Sequence, residues 1–568
     1  MDETVKQWNR WDWVALGVAV LVAAATWAPR LSGPLDLRYD AGVYYLLGQS
    51  LAEGRGYRLL NEPGTPSANQ YPPGLPVMAA VAIKLAGTSD FVSAGEVLRW
   101  MFCLVSMGFA AVVYALLRRW LPLVYALPAG VIAVLSLQTF YLSNMFSAEI
   151  PFALVTCAAL LIRGGTWRTE IGRGLLVGLT FLLRTAGLAL MAGWVGEALL
   201  RRQWKSAALR AAWVAVPFLA WNGWVKSVEW SDEYQRPAYA YQRAPYQFYN
   251  VSYATNVKLI DPFNPVMGEL TPGMLVQRAV TNLGTSPLWV GEGASVPVDT
   301  SKGMIGRINL RLFGGRAVVP EILSPAFTVV LGCLVLIGVG LLLWRGEYLL
   351  PLYLLASVGL IALTPWPHQF RRYTAPLTPV MLLAGGYALC VLQARLRERR
   401  LLPMAIIGIV AGVVLMMQAY ALYFTFKAGR ATVNFVDRTG GTHPTMLMYY
   451  DVRWEAFDDA VRWLAGRAKA DEVTATIAPH WYHLQSGKQA VMPPMHGDEA
   501  EVWRLMDSVP VKYYIVELLE FAGQGNGFRH AEPFVRDTPS VWRKIYTDPR
   551  GLAWVYERVD APATQASP

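Results

Sequence analysis

Charge is what this sequence has least of. Asp, Glu, Lys and Arg together make up 16% of its 568 residues, where soluble domains average roughly a quarter. The length alone would allow three or four soluble domains; the scarcity of charge excludes that reading for most of the chain. Cysteine is almost missing. Cys103, Cys157, Cys333 and Cys390 all sit inside apolar runs, which excludes a disulfide framework or a Cys-based metal cluster and leaves small core residues. No glycine-rich phosphate loop is found. The net charge of +10 would suit nucleic acid, but the basic clusters lie between apolar runs, so no nucleic-acid partner is expected.

Apolar and aromatic residues are abundant instead. The chain is 54% hydrophobic with 22 Trp and 27 Tyr, and its mean hydropathy is +0.31. Trp and Tyr settle at membrane–water interfaces. The runs that can span are 13–28, 100–117, 121–141, 150–162, 207–228, 325–344, 348–363, 375–396 and 402–426. The stretch 171–200 carries Arg184 and Gly187 at its middle and reads as two short helices. The total is about eleven membrane helices. The first run follows acids and aromatics and lacks a small-residue cleavage site, so it is no removable signal peptide.

Lys and Arg set the orientation. "LRRW" (117–120), "RGGTWR" (163–168), "LRRQWK" (200–205), "WRGE" (344–347) and "RLRERR" (395–400) share one side if the N-terminus is cytoplasmic. An odd helix count then places the C-terminus outside, with segments 29–99, 229–323 and 427–568. One cluster breaks the pattern. "PHQFRRY" (367–373) brings His368, Arg371 and Arg372 to the outer end of a span. An anion site there would use arginine's planar fork, which grips phosphate oxygens in pairs; an ordinary loop exception is the alternative.

The outer segments are structured in character. Val43, Leu46, Leu47 and Leu51 form a helical stripe, and 75–85 is a second apolar stretch too short to span; both fit helices in the interface plane. Gly and Pro punctuate the chain between them, ending in "QYPPGLP" (70–76). Segment 234–249, "YQRPAYAYQRAPYQFY", alternates tyrosine with arginine; carbohydrate, phosphate or lipid head groups are its expected targets, or it anchors at the interface. Asn250, Val251 and Ser252 form a glycosylation sequon. Beyond residue 430 a helix at 456–468, strands at 473–478 and 513–518 and helical residues at 502–506 predict a small α/β domain. The histidines of 479–496 show no ligand spacing, so a solvated loop is expected there and no metal site. The domains are therefore 1–428, in the membrane, and 429–568, outside it.

The residues also carry a family likeness. Asp40 after the first span, then "YYLLGQSLAEGRGY" (44–57) and "YPPGLP" (71–76), resemble the first outer loop of polyprenyl-phosphate-sugar-dependent glycosyltransferases of the GT-C fold. The nearest likeness is to bacterial family-39-like and lipid A aminoarabinose transferase-like enzymes. "SAEIPFALV" (147–155), "LTFLLRTAGLAL" (179–190) and "RRYTAPLTPVMLLA" (371–384) resemble later motifs of the same enzymes, and the likeness covers roughly 10–425. One departure is that Asp40 is followed by Ala41 where protein-glycosylating relatives often carry an Asp-Glu pair.

The resemblance implies a GT-C membrane protein with interfacial helices in the first outer loop and a soluble outer domain. It implies an inverting transfer from a polyprenyl-phosphate sugar to a glycan, lipid or protein hydroxyl, at the outer face of a bacterial inner membrane. Asp40 is the expected base, because an attacking hydroxyl must lose a proton. Arg371 and Arg372, helped by His368 and Tyr373, are expected to stabilise the departing phosphate. Glu149, Arg184, Tyr44 and Tyr71 are further candidates. No cofactor is required, and nothing in the sequence indicates a divalent metal. Asp40 could instead only cap its helix, and Glu149 the helix led by Pro151. Two rival functions are a transporter or flippase of lipid-linked sugars, which usually shows repeated halves, and a non-catalytic membrane scaffold. No internal repeat is seen, the external segments are larger than transport requires, and a scaffold does not need Asp40 together with the arginines.

Overall fold

The computed structural model describes residues 8–162, 164–396, 401–519 and 530–559. Arg163 and residues 397–400, parts of two of the basic loops, and the last nine positions of the tail lie outside the described residues. The chain forms two compact units. Unit 1 contains residues 1–32, 99–219 and 275–428, and unit 2 contains 33–98, 220–274 and 429–568.

Unit 1 is helical. The described part of every apolar run read as a span is largely helix. Among the described residues, five helices are long and apolar enough to cross a membrane: Arg10–Arg30, Phe91–Trp120, Leu323–Trp344, Pro367–Arg395 and Gly408–Lys427. The run 121–141 is broken. Leu123–Leu135 and Leu137–Ser143 meet at 49°, and counting that bent pair as one span makes six. The bend has a partner for the backbone group it frees, since the Leu137 N–H donates to Gln418 Oε1 at 3.0 Å. The remaining runs form helices that are too short or too polar to pass that test alone, so the count of about eleven is not established. The stretch 171–200 is the expected pair, Trp167–Leu183 and Leu188–Leu200, parted at Arg184.

Close helix approach in unit 1 depends on small residues, as in membrane bundles. A methyl group at Gly332 would fall 1.8 Å from the Pro287 carbonyl oxygen, and one at Gly338 would fall 1.9 Å from that of Ala384. The basic loops also have structural duties. Arg118 is buried against Asp12 at 2.5 Å, Arg119 donates to the carbonyls of Leu160 and Leu161 at a helix C-terminus, and Arg210 bridges Glu170 and Glu197.

Unit 2 gathers the first loop, the 220–274 stretch and the tail. The remainder of segment 229–323, from 275 on, belongs to unit 1. Strands β1 (Arg430–Val436) and β2 (Thr442–Met448) form an antiparallel hairpin. Strands β3 (Val473–Ala475), β4 (Ala490–Val491), β5 (Val511–Glu517), β6 (Trp542–Thr547) and β7 (Ala553–Arg558) make one sheet in the order β4-β3-β5-β7-β6. Its β4, β3 and β5 strands are parallel and β7 and β6 antiparallel, so the tail is the α/β domain its pattern predicts. The β4 edge is not left open: Ala490 N–H donates to the Asn61 carbonyl at 2.8 Å.

Several outer-segment expectations change. Asp40–Ala52 and Gly74–Ala86 are helices, but the first is buried nearly all round, not along one stripe. It packs on Gly74–Ala86 and on Pro479–Ser486. That last helix replaces the solvated loop expected at 479–494, and His480 on it is buried. The tyrosines of 234–249 are largely interior as well. Tyr239, Tyr241 and Tyr246 are buried, and Tyr239 donates to Glu62 at 2.6 Å. Asn250 of the sequon is buried, so its amide is not presented for modification.

Candidate active site

The site residues read from the sequence fall into two groups, one in each unit. Asp40, Tyr44 and Tyr71 belong to unit 2. Glu149, Arg184, His368, Arg371, Arg372 and Tyr373 belong to unit 1.

In unit 2, Asp40 is the first residue of its helix. The residue before it, Tyr39, has φ 58° and ψ −139° and makes no side-chain cap. A non-glycine residue with this positive φ is strained. Its ring stands edge-on to Trp454 with centroids 5.3 Å apart. The preceding Arg38 is fully buried, pairs with Asp36 at 2.8 Å and donates to the Met448 carbonyl at 2.7 Å. The chain therefore enters the helix along a fixed path.

The Asp40 carboxylate is half-buried and accepts a hydrogen bond from the Tyr249 hydroxyl at 2.9 Å. Tyr249 lies 6.1 Å from Tyr71, and Tyr71 lies 4.6 Å from Tyr44, ring centre to ring centre. The two candidate tyrosines thus join Tyr249 in an aromatic wall near the acid. Tyr249 also meets His480 edge-on at 4.7 Å. Burial pushes the His480 imidazole down to about 3, helped by His483 and opposed by Asp40. It is neutral at physiological pH, and its Nε2 has no hydrogen-bond partner among the described residues. Glycine at 42 makes this packing achievable, because a methyl there would sit 3.0 Å from the Leu37 carbonyl oxygen and 3.2 Å from His480 Cβ.

In unit 1, Glu149 opens its helix and is fully buried. Arg184 reaches it at 2.8 Å from the break between two helices, and Arg372 reaches the same oxygen at 2.5 Å. Its other oxygen, Oε2, has no hydrogen-bond partner among the described residues. The Tyr373 ring lies 5.4 Å from the Arg184 guanidinium, and its hydroxyl donates to Gln369 at 2.9 Å. Two guanidinium groups thus converge on one carboxylate oxygen. Arg371 points elsewhere, to Glu292 at 3.2 Å and Asp299 at 2.8 Å. His368 is exposed. The "HQFRRY" cluster therefore divides, with Arg372 facing one shared acid and Arg371 two others.

Reading the sequence missed Tyr249, His480 and Glu292. Tyr249 closes the tyrosine–arginine alternation and His480 opens the "HWYH" string, but neither string reveals a partner in the first loop. Among the described residues, no group of three His, Cys, Asp or Glu side chains is placed to hold a metal ion.

No family model and no curated protein matches the chain. Solved structures do. The Archaeoglobus fulgidus oligosaccharyltransferase, tethered with an acceptor peptide containing the NVT sequon, is similar with a TM-score of 0.52 at 14% identity over 99% of this chain and 76% of its own. ArnT from Cupriavidus metallidurans, bound to undecaprenyl phosphate, gives 0.47 at 13% identity over 98% and 99%. The mycobacterial arabinofuranosyltransferase AftD gives 0.45 at 12% identity over 97% and 40%. With its apolar spans, its helical first loop and a small C-terminal sheet domain, this chain is a polytopic membrane protein of the GT-C fold.

Proposed function

We propose that this protein is an inverting membrane glycosyltransferase that moves a sugar from a polyprenyl-phosphate donor to an acceptor hydroxyl on the outer side of the inner membrane. The observation that carries the reading is the pair Arg184 and Arg372 on one buried carboxylate, Glu149. Such a pair offers a fixed, partly desolvated positive charge for a phosphate to meet. Preorganised donors of this kind act most strongly on charge that develops in the transition state.

The acceptor hydroxyl gives its proton to the Asp40 carboxylate as its oxygen bonds to the anomeric carbon. The bond from that carbon to the donor phosphate breaks, and polyprenyl phosphate leaves with the electron pair. A single displacement inverts the anomeric centre. Tyr249 orients the Asp40 carboxylate through its hydroxyl hydrogen bond. Arg372 and Arg184 take up the phosphate charge, with Tyr373 beside Arg184. Arg371 is neutralised by two acids and serves to hold its helix. The reaction so written needs no metal.

The test is transfer by the purified full chain from a panel of labelled polyprenyl-phosphate sugars to envelope glycolipids, glycans and peptides. Appearance of the inverted anomer, lost in Asp40→Asn with donor binding kept, is expected. Donor binding without transfer from any member would favour a carrier of lipid-linked sugars. Sidedness is tested by labelling Lys544→Cys, exposed on β6; protection until the inner membrane is permeabilised would reverse the orientation.

A further inference from the structure

Unit 2 contains a cavity that the proposed reaction does not use. Its volume is about 440 Å³, within the size range of small-molecule sites, roughly 300–1,000 Å³. Its walls come from the end of the Asp40–Ala52 helix, the start of the Phe91–Trp120 helix, the β1–β2 turn and the end of the Pro479–Ser486 helix.

Most small-molecule sites are lined chiefly by apolar groups. This one is polar. Gln49 and Gln485 bring amides, Ser89 and Ser486 hydroxyls, and Phe91 an aromatic ring. The charged lining is balanced, with Arg55 and Arg438 against Asp90 and Asp437. His483 adds no charge, since burial lowers its basicity. Its Nδ1 lies 2.8 Å from the Lys488 carbonyl oxygen, which can only accept, so Nδ1 carries the proton. Nε2 of the same ring is then an acceptor. Gly487, with φ +71°, has open space where a side chain would stand.

Balanced charge disfavours a phosphate or a polyanion. Mixed donors and acceptors beside an aromatic ring suit a ligand in which every polar group both donates and accepts, which is what a sugar hydroxyl does. The cavity is also tied to the acid. The Asp40–Ala52 helix carries Asp40 at its first position and Gln49 nine residues later, about 13 Å along the axis. The Pro479–Ser486 helix packs beside it, with His480 at the Asp40 end. We infer that this cavity is a subsite for a neutral glycan, holding a sugar of the acceptor remote from the hydroxyl that reacts. The assignment to the acceptor rests on the glycosyltransferase reading; the assignment to a neutral glycan does not.

Two measurements keep these separable. The first is binding of the full chain to an array of neutral and sulfated oligosaccharides, for the unmodified protein, Asp40→Asn, Arg438→Ala and Ser89→Trp. Neutral oligosaccharides should bind to the first two alike, with Kd raised at least tenfold in Arg438→Ala and binding blocked in Ser89→Trp. Arg438 is exposed, so its replacement keeps the test valid if the tryptophan variant does not fold. Capture of sulfated ligands alone, no capture, or binding that ignores both cavity variants would overturn the site. The second is acceptor kinetics. Arg438→Ala should raise acceptor KM about tenfold and leave kcat unchanged. Glycan binding retained with an unchanged KM would detach the cavity from the acceptor, and glycan binding by a chain that transfers nothing would remove the enzyme reading while keeping the site.

Discussion

Asp40 and Glu149 are both acids at the first position of a helix, and they are treated in opposite ways. Asp40 is half-buried and accepts a bond from a neutral phenol. Glu149 is fully buried and meets two guanidinium groups through one oxygen. A carboxylate engaged by two cations is a poor proton acceptor, because losing its charge would leave both cations unpaired. In the reaction we propose, Asp40 takes the proton and Glu149 fixes the arginines, although the sequence presents the two acids in nearly the same way.

The comparison can be broken most directly at Asp40. Asp40→Asn should lower turnover by about 10²- to 10⁴-fold, the usual loss of one general base, with donor affinity unchanged in a binding assay. Near-normal turnover would reduce Asp40 to a helix-end residue. Next in size is Arg372→Ala. It removes one of the two guanidinium groups on Glu149 and should lower both donor affinity and turnover at saturating donor, by about 10- to 150-fold for one charge-assisted hydrogen bond. Lys should rescue only in part, since it has no planar fork. Arg371→Ala should leave donor affinity near normal, because its charge is already spent on Glu292 and Asp299. Equal losses from the two arginines would restore them as a joint phosphate clamp. A smaller effect is expected from Tyr249→Phe, which keeps the ring against His480 and removes only the hydroxyl. A fall in kcat of roughly tenfold with donor affinity intact is predicted; a change in donor affinity alone would contradict the positioning role.

The smallest effect is on stability, and it contrasts two other groups of unit 2. Burial raises the Glu62 carboxyl to about 7, so folding favours its protonated form. Its contribution is complete below about 4.5 and is lost as pH rises through 7. His480 is the reverse. Its value of about 3 makes its contribution complete above about 6.5 and lost as pH falls towards 3. Between about pH 4.5 and 6.5 each shifts stability by roughly 1.4 kcal/mol per pH unit, in opposite directions. The unmodified protein should show a nearly flat melting temperature over that range. Glu62→Gln should make it rise with pH, and His480→Phe should make it fall. Parallel curves for all three proteins would show that neither group titrates on unfolding.

Much of the architecture was legible in the sequence because it is local. Apolar length specifies a membrane helix, Arg184 beside Gly187 marks a break, and alternation near Val473 and Tyr513 marks strands. What escaped is what depends on distant partners. Tyr249 meets Asp40 across 209 residues of chain, and Arg372 meets Glu149 across 223. The Asp40–Ala52 helix looked amphipathic because its polar face carries small or hydrogen-bonding residues. That face is covered by a helix beginning at Pro479, which no local pattern announces. The tyrosines of 234–249 were read as a surface for the same reason: their hydroxyls, such as that of Tyr239 on Glu62, find partners inside the unit.

The left-handed backbone at Tyr39 has a further consequence, for laboratory evolution. A residue held there costs on the order of 1–3 kcal/mol, and glycine would adopt the same angles freely. A screen rewarding heat resistance alone has reason to select Tyr39→Gly. That substitution would also remove the ring braced on Trp454 and free the chain directly before Asp40. Thermal selection and selection for turnover should therefore separate at this position, with the hardier variants being the slower ones.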